Sequence, residues 1–327
     1  MEVRVKIAVV TAGGVAPGMN AAVRAVAQAA FSRGWEVMGV EGGFEGILEE
    51  RLEPLDRRHL GGLMHRGGTV LGTGRSKEVR ETEGQEHAAA TLDGAGVEGL
   101  VVIGGGGSLT SAKALGEVGV KAVGIPATID NDVPGTELAL GVDSAIETAV
   151  EAIDRIRGTA ISHNRGHIVK VMGSDYGYLA LMSAVAGGAE VAVLPEFETR
   201  KEDILRFLED AYERGRSHFI VVAAEGAELS AEELQEYINE AEGTHEADIT
   251  AVGHIQAGGD PTSADRILAA RLGAAAVEAL AEGEPGVMVG VRGEETRRVP
   301  LDEVVGRERP LDPGMYELAK MLAEMPE

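Results

Sequence analysis

Short apolar runs alternate with amphipathic stretches along the whole chain, and this alternation sets the narrowest limits on its fold. Val3–Val10, Glu36–Val40, Gly99–Gly104, Lys121–Pro126, His167–Met172, Ser217–Ala223, Asp248–Gly253 and Gly286–Val291 have the length and content of buried strands. Met19–Ser32, Asp143–Ile156, Lys201–Glu213, Ala231–Glu242 and Ala264–Ala281 carry apolar residues at helical spacing. Strand then helix, repeated, predicts parallel βαβ units in a doubly wound α/β sheet. Aromatic residues make up only 3% of the chain, so Val, Ile, Leu and Ala must supply the core. Ala-rich helices covering a parallel sheet suit that supply. No Pro/Ser-rich linker marks a boundary between domains.

Composition excludes several kinds of function. There is no cysteine, which rules out a disulfide framework, a thiolate zinc site and a cysteine nucleophile. The formal charge of −24 opposes nucleic acid and anionic membrane as partners. A small phosphorylated ligand remains compatible, because backbone amides and local arginines act at short range. The chain starts on a strand-like run with no leader-like pattern, and no apolar run reaches membrane-spanning length, so a cytoplasmic location is expected. His65, His87, His163, His167, His218 and His245 show no metal-ligand spacing, and Trp35 reads as packing at a helix end.

Three strand ends carry ligand-type loops. The first runs Thr11-Ala12-Gly13-Gly14-Val15-Ala16-Pro17-Gly18-Met19-Asn20 into a helix. It matches neither the Walker A pattern nor the dinucleotide fingerprint, and alone it is what any tight strand-to-helix turn needs. The second, Gly104-Gly105-Gly106-Gly107-Ser108, opens another helix. Four consecutive glycines are entropically costly, which points to close approach by a ligand. The third, Ala127-Thr128-Ile129-Asp130-Asn131-Asp132-Val133-Pro134-Gly135-Thr136, offers two carboxylates for a metal or a proton, or else is an ordinary turn. Together at strand ends they favour a phosphate-handling site.

These loops, with Gly67-Gly68-Thr69-x-Leu71-Gly72 and Gly253-His254-Ile255-Gln256, resemble the bacterial ATP-type 6-phosphofructokinases. The resemblance covers residues 3–325 and marks the chain as a divergent paralogue. It implies two Rossmann-like, three-layer α/β/α domains. A nucleotide-binding domain would take 1–141 plus 256–306, and a sugar-phosphate-binding domain 142–255 plus 307–327. It also implies a homotetramer whose neighbouring subunits complete the sites. The reaction implied is glycolytic: transfer of the γ-phosphoryl of ATP to the 1-hydroxyl of fructose 6-phosphate, with Mg²⁺. Asp130 would then be the base, Thr128 would hold the transferring phosphoryl, and Asp132 would support the metal. Gly14, Gly105, Gly107 and Ser108 would face the nucleotide phosphates, with Arg75 and Arg80 neutralising charge. Met172, Gly173, Glu225 and His254 would line the sugar, and Arg165 would reach a neighbour's 6-phosphate. Gly107 follows the ATP-using pattern, since pyrophosphate-using relatives usually carry Asp there.

The chain departs from that pattern at several points. Gly106 stands where the family has the Asp that supports Mg²⁺, and Val15 replaces an acid. Ser174, Asp248 and Ala257 each replace an Arg facing phosphate, and Ser111 replaces a small Gly against adenine. A hydrogen bond to a charged group contributes about 1.5–3 kcal/mol, so three lost arginines would cost roughly 5–9 kcal/mol if they added. Lys170 would restore one charge. Arg24, Arg57, Arg157, Arg214 and Arg216, with Glu190, match the family's effector site for ADP or phosphoenolpyruvate, while Gln28 replaces one further Arg. Three functions follow from the resemblance. The chain is a phosphofructokinase with weakened or altered substrate binding, a catalytically impaired regulatory subunit that joins an active paralogue in a mixed tetramer, or a kinase for another sugar acceptor.

Overall fold

The computed structural model describes residues 5–241 and 246–323. The chain divides into two compact units, Met1–Ser144 with Ala257–Arg309, and Ala145–Gln256 with Pro310–Glu327. It passes from one unit to the other after Ser144, Gln256 and Arg309.

The first unit holds β1 (Lys6–Ala12), β2 (Glu36–Val40), β3 (Leu52–Pro54), β4 (Gly99–Gly104) and β5 (Ala122–Pro126). The second holds β6 (Gly166–Val171), β7 (Val191–Val193), β8 (Phe219–Ala224) and β9 (Ala247–Ala251). The chain then returns to the first unit with β10 (Val287–Arg292) and β11 (Glu295–Pro300). The first sheet is seven-stranded in the order β11-β10-β5-β4-β1-β2-β3, parallel except for β3 and β11 at its edges. The second is four-stranded, β7-β8-β6-β9, and parallel throughout.

Strands β4 and β5 are buried along their whole length, and β1 is buried after Lys6. This is why they read as continuous apolar runs rather than alternating ones. Helices Met19–Ser32 and Ser263–Ala281 pack against each other on this sheet through small residues. A Cβ on Gly273 would lie 2.5 Å from Ala25 Cβ, so the two backbones approach as only glycine permits.

The structure also differs from the sequence reading in places. Strands β3 and β7 have three residues each, too short for a periodic signal. Edge strand β11, Glu-Thr-Arg-Arg-Val-Pro, has an exposed, charged first half and so shows no apolar run. Its register with β10 leaves only Gly293 (φ 55°) and Glu294 in the hairpin loop. The helix expected to end at Ile156 continues to His163 and carries Arg157. Residues 3–4, 242 and His245 lie outside the described residues.

Gly166 pairs in register with Phe219 at the start of the second sheet, and a Cβ there would fall inside the Phe219 ring. Phe219 is among the largest fully buried side chains. Gly166→Ala is therefore expected to destabilise the protein by about 1–3 kcal/mol through overpacking. Urea unfolding should show a lower midpoint at an unchanged slope.

Candidate functional site

In the first unit, parallel register brings three loops to one level. Ala12 at the end of β1 pairs with Gly104 of β4, and Gly104 pairs with Pro126 of β5. The loops after Ala12, Gly104 and Pro126 therefore leave side by side. The connectivity reverses between β1 and β4, with β2 and β3 on one side and β5, β10 and β11 on the other. Doubly wound sheets bind ligands in the crevice at such a switch point.

The four glycines divide into different roles. A Cβ on Gly104 would overlap the Ala12 carbonyl and approach Ser108 Oγ at 2.5 Å, so packing alone requires this one. Gly105 caps the helix Gly106–Glu117 with an extended conformation. Added Cβ atoms at Gly14 and Gly106 would meet nothing within 4 Å, and at Gly107 only Arg80 Nη2 at 3.9 Å. The start of a twelve-residue helix thus lies open at Gly106 and Gly107, with the dipole's positive end available to an anion. Arg75 and Arg80 are exposed, with no carboxylate partner among the described residues.

The first loop is held from behind. Buried Asn20 donates from Nδ2 to the carbonyls of Arg66 (3.1 Å) and Gly67 (3.0 Å), and its Oδ1 accepts from Val70 N (2.7 Å). Thr11 Oγ1 donates to Gly72 O (2.7 Å), and Thr73 Oγ1 donates to Gly13 O (2.9 Å). The stretch from Arg66 to Gly74, whose Thr73 and Gly74 both bond Gly13, is therefore a brace for the Gly13-Gly14 turn.

The third loop is equally fixed. Asn131 is fully buried at φ 56°, and its side chain bridges Glu137 O (3.2 Å) and Ala139 N (3.0 Å). The amide of Asp130 donates to Thr128 Oγ1 at 3.2 Å. Arg309 donates to the carbonyls of Asn131 (3.2 Å) and Glu137 (3.0 Å). Desolvation pushes the Asp132 carboxyl above the usual range, while the nearby Arg309 charge pulls it back. Downstream, fully buried Asp265 accepts from Gly141 N (2.8 Å), Ser144 N (2.9 Å) and Ser144 Oγ (2.6 Å). The sequence alone gives Asn20 no role beyond its place in the first loop, and nothing local singles out Arg309 or Asp265. Arg309 precedes a proline in a polar stretch, a position that carries no local signal.

In the second unit, the loops after β6, β8 and β9 place Met172-Gly173, Glu225 and His254 at adjacent strand ends. Glu225 Oε1 accepts from Gly173 N (3.3 Å) and Ser174 N (2.8 Å), and buried Gln256 accepts from Met172 N (3.0 Å). Arg165 is not with them. It precedes β6 while Met172 follows it, roughly 20 Å along the strand. Its guanidinium meets Glu246 at 2.8 Å and Asp248 at 3.5 Å. Lys170 is likewise held, by Glu232 at 2.9 Å.

The effector-type residues of this unit gather at the end of the helix Tyr178–Gly187. Arg157 donates to the carbonyls of Gly187 and Gly188. Buried Glu190 accepts from Arg216 Nη1 (3.1 Å) and Ile220 N (2.7 Å). Glu190 and Arg216 line a cavity of about 90 Å³ with Thr199, Tyr316 and Lys320. Arg214 and Arg216 share a shallow neighbouring hollow. Arg24 and Arg57 belong to the first unit.

Among the described residues, no three His, Asp or Glu side chains converge as a metal cage. Magnesium commonly takes one or two carboxylates and fills its shell with phosphate and water oxygens. The Asp130–Asp132 loop beside an anion-accepting helix end fits such a phosphate-borne ion.

A doubly wound sheet, an open helix N-terminus at its switch point and a braced two-carboxylate loop define a phosphate-handling α/β protein. The family model described as "Phosphofructokinase" matches residues 6–280. The ATP-dependent 6-phosphofructokinase of Shouchella clausii is 44% identical over 318 residues, 97% of this chain and 99% of the relative. That of Bacillus licheniformis is 45% identical over the same shares. The chain belongs to the phosphofructokinase family. Pichia pastoris phosphofructokinase in the T-state superposes with a TM-score of 0.88 at 34% identity, over 99% of this chain and 37% of that chain. This chain thus spans well under half of the longer yeast protein. A pyrophosphate-dependent phosphofructokinase from Marinobacter aquaeolei shares the fold, with a TM-score of 0.85 at 24% identity over 95% of this chain and 86% of that one.

Two predictions follow from these contacts. Asn20→Ala leaves the Val70 amide and the Arg66 and Gly67 carbonyls without this partner. It should cost about 2–3 kcal/mol and speed amide exchange at Val70, read by hydrogen exchange. Desolvation depresses His167 below its ordinary value of 6.5, with Asp248 opposing. A depressed histidine contributes stability above its unfolded value, and that contribution is lost as pH falls through the folded value. His167→Gln should therefore flatten the loss of stability below pH 6.5 in a denaturation series.

Proposed function

We propose that this chain is an ATP-dependent 6-phosphofructokinase, passing the γ-phosphoryl of ATP to the 1-hydroxyl of fructose 6-phosphate. The observation that carries this reading is the Thr128–Asp132 loop, held rigid beside the open first turn of the helix Gly106–Glu117. The full-length likeness to bacterial ATP-dependent 6-phosphofructokinases supports it.

In this reading the first unit takes the nucleotide and the second the sugar phosphate. Amides at Gly14, Gly105 and Gly107, beside Ser108, cradle the phosphates, and Arg75 and Arg80, without a carboxylate partner among the described residues, neutralise them. Asp130 accepts the proton of the attacking hydroxyl, and Thr128 steadies the phosphoryl in flight. Asp132, with Asp130 beside it, would hold Mg²⁺. When bound, that ion neutralises charge developing on the phosphate oxygens. Catalysis of this kind is mostly positioning and charge neutralisation. Met172, Gly173, Glu225 and His254 line the sugar. Arg165 stands a strand's length from them, so a site that uses it draws Arg165 from a second copy, as in a tetramer. Arg24, Arg57, Arg157, Glu190, Arg214 and Arg216 would take an anionic effector. A cytoplasmic, glycolytic setting agrees with this reading, and no helix among the described residues is long and apolar enough to cross a membrane.

A second reading rests on the acids that occupy Arg165 and Lys170. In it the chain binds sugar phosphate weakly, and serves as an effector-binding subunit beside an active paralogue or phosphorylates another acceptor.

A coupled ADP-release assay with fructose 6-phosphate separates the readings. Turnover should fall by about 10²-fold or more in Asp130→Ala, as for loss of a general base. Turnover no different from that variant would remove the kinase reading. Calorimetry with fructose 6-phosphate and ADP would then locate which ligand is retained.

A further inference from the structure

Arg309 is the last residue of the first unit before the chain crosses to the second. No sequence motif includes it, yet it makes paired contacts with the carboxylate loop. Its Nη1 donates to Asn131 O and its Nη2 to Glu137 O, at 3.2 and 3.0 Å. The Asn131 carbonyl belongs to the peptide joining Asn131 to Asp132, so it lies between the two carboxylate-bearing residues. Asn131 itself is fully buried in a left-handed conformation, which asparagine tolerates better than most residues other than glycine. Its own side chain closes the loop onto Glu137 and Ala139, and Arg309 adds donors to the Asn131 carbonyl and to that same Glu137 carbonyl. Rotation of the 131–132 peptide would swing Asp130 and Asp132 apart, and the Arg309 fork opposes that rotation.

We propose that Arg309 is a positioning residue, which holds Asp130 and Asp132 in working orientation by fixing the Asn131 and Glu137 carbonyls. The inference rests on the kinase reading for its catalytic consequence, but not for its structural one. A guanidinium fork presents donors on separate nitrogens, which a single ammonium does not reproduce, so lysine is an incomplete substitute.

The test compares the parent chain with Arg309→Ala and Arg309→Lys. With MgATP and fructose 6-phosphate, kcat should fall about 10–100-fold in the alanine variant, the scale of a misplaced catalytic group. KM for ATP should stay within about threefold, since transition-state rather than ground-state contacts are lost. Lysine should recover only part of kcat. Amide exchange, which needs no turnover, should quicken at residues 131–137 in Arg309→Ala while β4 and β5 remain protected. If the parent shows no Asp130-dependent turnover, the kinase reading fails and exchange judges Arg309 alone. The inference is overturned if exchange at residues 131–137 matches the parent. It is also overturned if kcat falls only in proportion to the folded fraction measured by thermal unfolding.

Discussion

The candidate nucleotide site depends on the parallel pairing of β1, β4 and β5. Because Ala12, Gly104 and Pro126 are register partners, three loops far apart in sequence leave the sheet at one level. A slip of one residue would turn every side chain on a strand to the opposite face and separate the loops. The register is fixed by burial on both faces, and at its end by Gly104, where the Ala12 carbonyl and Ser108 leave no room for a side chain. Fold and site are thus specified by the same contacts.

Charge shows a second order in the molecule. Part of the positive charge is already engaged by carboxylates and part is not. Arg165, Lys170, Arg216 and Arg298 all carry acidic partners. Arg75 and Arg80 carry none among the described residues, and Arg80 leans toward Gly107 at the open helix end. Arg165 in the second unit, by contrast, is occupied by Glu246 and Asp248. Exposed ion pairs contribute only modestly to stability, so such contacts bear more on what an incoming anion must displace than on the fold.

The sequence reveals the buried parallel strands because they are apolar throughout, and the loops because glycine, proline, asparagine and aspartate concentrate there. It conceals β11, whose edge position needs no apolar run, and the single-residue anchors. Asn20 acts on carbonyls 46 and 47 positions away, Asp265 on an amide 124 away, and Arg309 on a carbonyl 178 away. No periodicity or local composition marks such partners, because only the folded chain brings them together. The resemblance supplied roles for the loops, but not the contacts that keep them in place.

The threading of the chain between its two units bears on how the protein is made. The smaller sheet is encoded entirely within β6 to β9, whereas the larger one waits for β10 and β11. During synthesis the later-starting unit can therefore complete its sheet first, and the amino-terminal strands must persist with an unpaired β5 edge until β10, Val287–Arg292, emerges. Exposure of that nascent edge, rather than the stability of the finished molecule, is where a chaperone would have most to protect.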